Sequence, residues 1–411
     1  TCIVNDRGIH ICKSMIAWQL FADGATPEST NMKGDHFVGD YYVKYNDAYK
    51  AEMETLIAGG MTKELAEQEA PIQKAAQAML LKWEQGDAAT MDLWKRMNEW
   101  VYAGFDVTYK KIGSDFFKTY YESNTYLLGK DLVDQGLSKK VFYQKDDSSV
   151  WIDLTSEGLD EKIVRRKDGT SVYITQDIGL AELKQKEFNT DASIYVVGDE
   201  QNYHFKVLKL ICQKLQLPAS DGIYHLSYGM VELPTGKMKS REGTVVDADD
   251  LVDGMIQIAK EKTESLGKVD DFSAAQLEKL YNTIGLGALK FFLLRVDPKK
   301  KMIFNPEESI DFHGFTGPFI QYTHARIKSI LRKTGTTTNV QASTLLPLEK
   351  ALIIALSNFP NTINEAAENL DPSKLAIYAF ELAKLFNSFY TEHSINNAES
   401  EEKKQLRIQL A

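Results

Sequence analysis

Cysteine is scarce in this sequence, with three residues among 411. Secreted disulfide frameworks need a denser set, so we expect a cytoplasmic protein in a reducing compartment. Cys2, His10 and Cys12 stand close together, but no second ligand pair follows at the spacing of a zinc site. Buried thiols explain these residues better than a metal, and we expect no metal site formed by protein ligands.

Long hydrophobic runs and an excess of positive charge are also missing. The apolar stretch at 288–296 is too short to span a bilayer and contains Lys290 and Arg295, so we expect no membrane association. The net charge of −10 argues against extensive non-specific binding to nucleic acid. One basic cluster at 326–333 remains, and it fits a solvated helix face as well as a phosphate contact.

The order of predicted elements indicates an α/β fold followed by helices. Helical apolar spacing fills residues 45–135, and strand-like segments with a hairpin turn at 167–170 come next. Three further strands alternate with helices, and they are predicted at 172–174, 194–197 and 224–231. We expect the first of these strands to lead into a helix from Thr175. This alternation predicts a Rossmann-like, doubly wound parallel sheet, whose ligands bind beyond the carboxyl ends of the strands.

A basic loop after the last of these strands is the first candidate for chemistry. Residues 236–243 carry Lys237, Lys239 and Arg241 between two glycines. Lysine supplies a compact positive charge, and flexible glycines allow a loop to close over a ligand, which suits a polyphosphate. An exposed basic turn is the alternative interpretation.

A tyrosine and an aspartate four residues apart form a second candidate. A carboxylate such as Asp177 accepts two parallel hydrogen bonds from a planar guanidinium, a geometry that lysine does not match. The alternative is structural: Tyr173 packs in the core and Asp177 stabilises the positive end of a helix. Gly198, at the end of a predicted strand, would let the backbone approach a nucleotide closely. His204, at the start of a helix, fits packing or capping equally well.

Together these motifs resemble class I aminoacyl-tRNA synthetases, and they are most similar to the arginine-specific family. Lys-Met-Lys-Ser-Arg at 237–241 resembles the Lys-Met-Ser-Lys-Ser loop of the class, in a Gly-Met-Val frame that begins at Gly229. The family's Tyr-x-Thr-x-Asp pattern matches 173–177, and its Gly-x-x-Gln-x-x-His pattern matches 198–204. Residues 312–326 resemble the entry into its helical anticodon-binding domain. The resemblance covers nearly the whole chain.

The resemblance implies a role for each matching residue. Lys237 would contact the ATP phosphates, with Ser240 and Arg241 as the other catalytic residues; Ser240 stands where most class I enzymes have a second lysine. The implied arginine-binding residues are Tyr173, Asp177 and Gln201. The implied ATP-binding residues are Gly198, His204, Met230, Val231, Lys237 and Met238. The implied tRNA-binding residues are Gln321, Tyr322 and Arg326.

The resemblance also implies the domains and the reaction. The catalytic domain would cover 1–250, with an insertion at about 35–165. A helical region that contacts the tRNA stem is expected at 251–310, followed by a helical anticodon-binding bundle at 311–411. The implied activity is that of an arginine–tRNA ligase, which uses ATP with Mg²⁺ to form arginyl-adenylate and then charges an arginine tRNA. We expect a monomer.

One motif of the family is missing, and it leaves alternatives open. None of the seven histidines lies in a His-x-Gly-His motif. We therefore expect the chain to lack the first part of the catalytic domain and to be inactive by itself. A catalytically dead tRNA-binding or interaction protein is one alternative. A class I synthetase for another amino acid is the second, and Tyr173 together with Asp177 argues against it.

Overall fold

The computed structural model describes residues 1–232, 247–267, 272–335 and 344–411. The chain divides into two compact units. In the described part, the first unit consists of Thr1–Ile194 and Tyr203–Tyr224. The second contains Tyr195–Asn202 and the described residues from His225 onward.

The first unit opens with a short strand and six helices. Their bounds are β1 (Cys2–Val4), α1 (Ile9–Phe21), α2 (Pro27–Thr30), α3 (Gly34–Ala58), α4 (Lys63–Glu69), α5 (Pro71–Glu84) and α6 (Ala88–Ile112). The side chain of Asp87 caps α6 by accepting from the Thr90 N–H, and Gly113 ends it with a φ of +70°. Met15, Phe37 and Met97 belong to the apolar core that α1, α3, α5 and α6 share. The helices predicted in 45–135 are confirmed, except that Thr119–Tyr121 forms a strand.

A buried aspartate fastens the segment after β1 to distant parts of this unit. Strand β2 (Thr119–Tyr121) pairs in parallel with β1, and the short helix α7 (Glu122–Thr125) follows it. Asp6 is 2% exposed, and its carboxylate accepts from the Tyr102 hydroxyl at 2.8 Å and from the Ser123 N–H at 2.8 Å. Its backbone carbonyl accepts from the Trp94 indole at 2.6 Å. A buried carboxylate is stable only when it is satisfied in this way.

The next elements lead to a long helix that begins earlier than predicted. They are α8 (Lys130–Ser138), the antiparallel strands β3 (Tyr143–Gln144), β4 (Val150–Ile152) and β5 (Lys162–Arg165), and α9 (Tyr173–Phe188). The turn predicted at 167–170 is confirmed, with Gly169 at a φ of +80°. The strand predicted at 172–174 is wrong, because Val172 is the N-cap of α9 and Tyr173 is its first residue. From inside the helix, the Thr175 hydroxyl donates to the Val164 carbonyl.

Two more predicted strands are present, one of them divided. Strand β6 (Ser193–Gly198) ends at the glycine that the sequence indicated, and α10 (Asn202–Lys214) follows. The stretch predicted at 224–231 forms β7 (Ile223–Tyr228), which pairs with β6, and β8 (Val231–Glu232). At Gly229, between them, an added Cβ would collide with the Lys300 backbone. Strand β8 pairs in parallel with β9 (Met302–Ile303).

The second unit is mainly helical, as predicted after residue 250. Its helices are α11 (Ala248–Ser265), α12 (Ala274–Leu294), α13 (Pro306–Ser309), α14 (Gly317–Thr334), α15 (Pro347–Ser357), α16 (Phe359–Asn369), α17 (Ser373–Glu392) and α18 (Glu401–Leu410). Phe386 and Phe389, on the predicted apolar face of α17, are buried in its core. In the part of the chain that the structure describes, no helix is both long and apolar enough to cross a bilayer.

Candidate functional site

The early start of α9 places Tyr173 and Asp177 one helical turn apart. Residues at i and i+4 lie on the same face of a helix, so the two side chains are neighbours. Tyr173 is 71% exposed, which excludes the alternative that this ring packs in the core. The Asp177 side chain is 38% exposed. A phenol and a carboxylate therefore share one accessible face of α9.

A histidine on the next helix completes this face. His204, in the first turn of α10, has its Nε2 atom 2.7 Å from Oδ2 of Asp177. Because an ionised carboxylate only accepts hydrogen bonds, Nε2 carries the proton in this pair. The Phe205 ring stands perpendicular to the imidazole, with the ring centroids 5.6 Å apart. Asp177 and His204 were predicted as site residues from separate motifs, and no contact between them was predicted.

A partly buried lysine on α9 is a residue that sequence reasoning missed. Lys184 lies seven residues after Asp177, and burial lowers its pKa to about 8, although the charges of Asp177 and Cys212 oppose this shift. Burial, with a smaller effect of Asp177, raises the pKa of the Cys212 thiol to about 12. Both groups therefore respond to the Asp177 charge. A lysine in a charged helix carries no signal of burial in its sequence.

A polar cavity of about 380 Å³ opens beside Tyr173. Arg7 and Glu122 line it, and the Arg7 guanidinium lies 3.8 Å from the centroid of the Tyr126 ring. Burial raises the pKa of Glu122; Arg7 opposes this shift, whereas the charges of Asp6 and Asp177 add to it. Neither Arg7 nor Glu122 was among the site residues predicted from the sequence.

The residues expected around the nucleotide are described only in part. Gly198 ends β6, and Gln201 is exposed in the 3-10 turn that follows it. Met230 is 45% exposed, and Val231 pairs with Met302 in the β8–β9 ladder. Four predicted residues lie outside the described part of the chain, namely Lys237, Met238, Ser240 and Arg241.

The three residues expected to contact tRNA all lie on α14, but they differ in their surroundings. The Gln321 amide donates to the Thr283 carbonyl at 2.9 Å, so it connects α14 to α12. Tyr322 is 46% exposed, and the Arg326 guanidinium lies 4.9 Å from its ring centroid. On the other side, Tyr390 of α17 lies 5.5 Å from the same guanidinium. Tyr322, Arg326 and Tyr390 line an open pocket with a volume of about 320 Å³.

Known protein families match both parts of the chain. Residues 37–305 match the model described as tRNA synthetases class I (R), catalytic domain, and residues 320–411 match the DALR anticodon binding domain. The chain is 56% identical to the arginine–tRNA ligase of Flavobacterium psychrophilum, in a match that covers 100% of this chain and 69% of that protein. The ligase of Bacteroides thetaiotaomicron is 54% identical, with 100% and 70% covered.

Solved structures agree with this match at the level of the fold. The arginyl-tRNA synthetase of Thermus thermophilus superposes with a TM-score of 0.81 at 22% identity, covering 99% of this chain and 71% of that one. The methionyl-tRNA synthetase of Mycobacterium tuberculosis with methionyl-adenylate has a TM-score of 0.54 at 13% identity, covering 80% and 78%. These matches confirm the predicted fold class. The domain boundaries proposed at 250 and 310 stay predictions.

Proposed function

Because the chain belongs to the arginyl-tRNA synthetase family, we propose that Tyr173 and Asp177 form the surface that recognises the guanidinium of arginine. Their shared, accessible face on α9 is the observation that carries this proposal. The Asp177 carboxylate would accept parallel hydrogen bonds from the planar guanidinium, and the phenol beside it would contact the substrate. A lysine or an uncharged citrulline leaves part of this arrangement unpaired, so the site discriminates against both.

The function of the chain is that of an arginine–tRNA ligase. An oxygen of the arginine carboxylate attacks the α-phosphorus of ATP, and the bond to the β-phosphate oxygen breaks to give arginyl-adenylate and pyrophosphate. A hydroxyl at the tRNA 3′ end then attacks the acyl carbon, and AMP leaves. Positioning of the reactants and stabilisation of developing charge supply most of the acceleration in such displacements.

Other predicted site residues would bind ATP. Gly198, Met230 and Val231 would border the adenosine, and the basic loop that contains Lys237 would contact the phosphates. Mg²⁺ would arrive with ATP as part of the substrate and neutralise the phosphate oxygens. Ser240, which stands at the position of a second lysine in most of the class, reduces the positive charge available from the loop.

The second unit would hold the tRNA through the surface formed by Tyr322, Arg326 and Tyr390. Unpaired RNA bases stack on aromatic rings and arginine planes, and phosphates pair with arginine. Tyr322 and Tyr390 are both partly exposed, and Arg326 is held between them. Gln321 would act indirectly, because its amide donates to α12 and so fixes the position of α14.

Calorimetry with L-arginine, L-lysine and L-citrulline tests the arginine assignment. The unsubstituted chain should bind arginine selectively, and Asp177→Asn should remove the selectivity while keeping the shape of the side chain. The matched control is Asp92→Asn, which changes an exposed aspartate of α6. Arginine binding that is unchanged in Asp177→Asn would refute the site. Retained tRNA binding with no amino-acid selectivity in any form would favour a catalytically inactive RNA-binding protein.

A further inference from the structure

We infer that His204 is a positioning residue of the arginine site, which orients the Asp177 carboxylate for the substrate guanidinium. The inference rests on the proposed role of Asp177 and adds a residue that acts through it. The family resemblance implied a position near the nucleotide for His204, and the structure places its ring against the Asp177 carboxylate. These two roles predict different consequences for the two small substrates.

The geometry of the pair explains how the imidazole would act. The hydrogen bond between Nε2 of His204 and Oδ2 of Asp177 is 2.7 Å long. It joins the first turn of α10 to the fifth residue of α9. A carboxylate bound at one oxygen no longer rotates freely about its Cβ–Cγ bond. One donor also leaves most of its acceptor capacity unused, because the two oxygens together offer about four lone-pair positions. A guanidinium therefore meets a carboxylate whose plane is already set.

The chemistry of imidazole suits this task better than that of a permanent cation. A neutral imidazole with its proton on Nε2 holds the carboxylate and adds no full positive charge beside the incoming guanidinium. An arginine or lysine at this position would neutralise Asp177 and repel the substrate. Among the residues that the structure describes, the other titratable groups that interact electrostatically with Asp177 are Lys184 and Cys212, from α9 and α10, and Glu122, from α7.

The test compares five variants of the full chain by calorimetry, with L-arginine and ATP as separate ligands. His204→Ala should raise the Kd for arginine by roughly tenfold, the typical effect of losing one hydrogen bond to a charged group, and leave the Kd for ATP unchanged. His204→Gln keeps an N–H donor and should recover part of the loss. His204→Ala made together with Asp177→Asn should be no worse than Asp177→Asn alone. The matched control, His393→Gln, changes a histidine of the second unit and should match the unsubstituted chain.

The outcomes separate this inference from the proposal beneath it. An ATP Kd that rises while the arginine Kd stays constant would give His204 the nucleotide role and overturn the inference. An equal loss for both substrates with a lower melting temperature, not relieved by glutamine, would show a structural role and also overturn it. If Asp177→Asn impairs arginine binding but His204→Ala does not, only the inference fails. If Asp177→Asn has no effect, both fail.

Discussion

At the scale of single residues, one buried carboxylate holds the last helix of the second unit in place. Glu349 is fully buried in the second unit, and it pairs with Lys403 and with Arg407, whose Nε lies 3.0 Å from Oε1. Burial by itself would raise the pKa of Glu349, but the Leu346 N–H and the two cations outweigh it and lower the pKa. Glu349 is therefore ionised in the folded protein, and its ion pairs with Lys403 and Arg407 fix α18 to α15.

Glu349→Gln should destabilise the protein by roughly 3 kcal/mol, because it leaves Lys403 buried without its counter-charge. A lowered folded-state pKa means that this stabilisation is complete above the ordinary value of 4.5 and is lost as the pH falls through the folded value. Urea unfolding at several pH values measures both effects. The exposed Glu365→Gln is the control. Equal stability of the two variants at neutral pH would contradict the prediction.

Asp6 has a comparable role in the first unit. Asp6→Ala should destabilise it by about 2 kcal/mol or more, because the Ser123 N–H and the Tyr102 hydroxyl lose their acceptor. Urea unfolding followed by tryptophan fluorescence suits this variant, since Trp94 donates to the backbone of the same residue. The control is Asp92→Ala on the solvent face of α6. A shift no larger than that of the control would disprove the role.

At the scale of elements, two glycines decide how α9 is held. An added Cβ at Gly179 would collide with the backbone of Leu128 and Gly129, and one at Gly129 would collide with the Thr175 carbonyl. Gly129 also has a φ of +84°, a conformation that other residues rarely adopt. The start of α8 therefore approaches α9 between Tyr173 and the middle of the helix. Its position sets that of the proposed arginine site.

Gly179→Ala should displace α9 and weaken arginine binding severalfold, with a loss of stability of roughly 1–3 kcal/mol. The control is Gly254→Ala in α11, where an added Cβ meets nothing within 4 Å. That change should be neutral or slightly stabilising, because alanine favours helices over glycine. Calorimetry with arginine and thermal unfolding report the two effects. Normal arginine affinity in Gly179→Ala would show that the close approach does not position the site.

The elements also show how far the sequence can be interpreted. Apolar spacing predicted the helices of 45–135 and those after 250, because a helix that buries one face repeats apolar residues every three or four positions. The strand predicted at 172–174 was wrong, because Val-Tyr-Ile has strand propensity and follows a hairpin turn. In the structure the Thr175 hydroxyl donates to the Val164 carbonyl from inside a helix, a tertiary contact that local propensity does not reveal. The contact between Asp177 and His204 was beyond prediction, because it joins two residues that lie 27 positions apart on different helices.

At the scale of the molecule, the proposed arginine surface and the proposed tRNA surface belong to different compact units. Tyr173 and Asp177 lie in the first, and Tyr322, Arg326 and Tyr390 lie in the second. Substitutions in one surface should therefore affect its own ligand first. The two surfaces also lie in different family matches, Tyr173 and Asp177 within 37–305 and the other three residues within 320–411.

Tyr322→Ala should weaken tRNA binding by roughly 5- to 100-fold, the range expected for the loss of one base stacked on an aromatic ring. Arginine binding measured without tRNA should stay unchanged. Filter binding at fixed salt concentration gives the first quantity, and calorimetry gives the second. The control is Phe272→Ala, which removes another exposed aromatic ring, 44% exposed, outside the DALR match. Equal tRNA affinity of the two variants would rule out a stacking role.

The buried position of Asp6 also has a consequence for synthesis on the ribosome. Its carboxylate accepts from Ser123, which lies 117 residues later in the chain. At roughly 5–20 residues per second, about 6–23 s separate the appearance of the acceptor from that of its last donor. During this interval the helices between them can begin to form, while the aspartate stays in water. The parallel β1–β2 pair and this buried charge therefore complete their contacts late, after the intervening helices have been made.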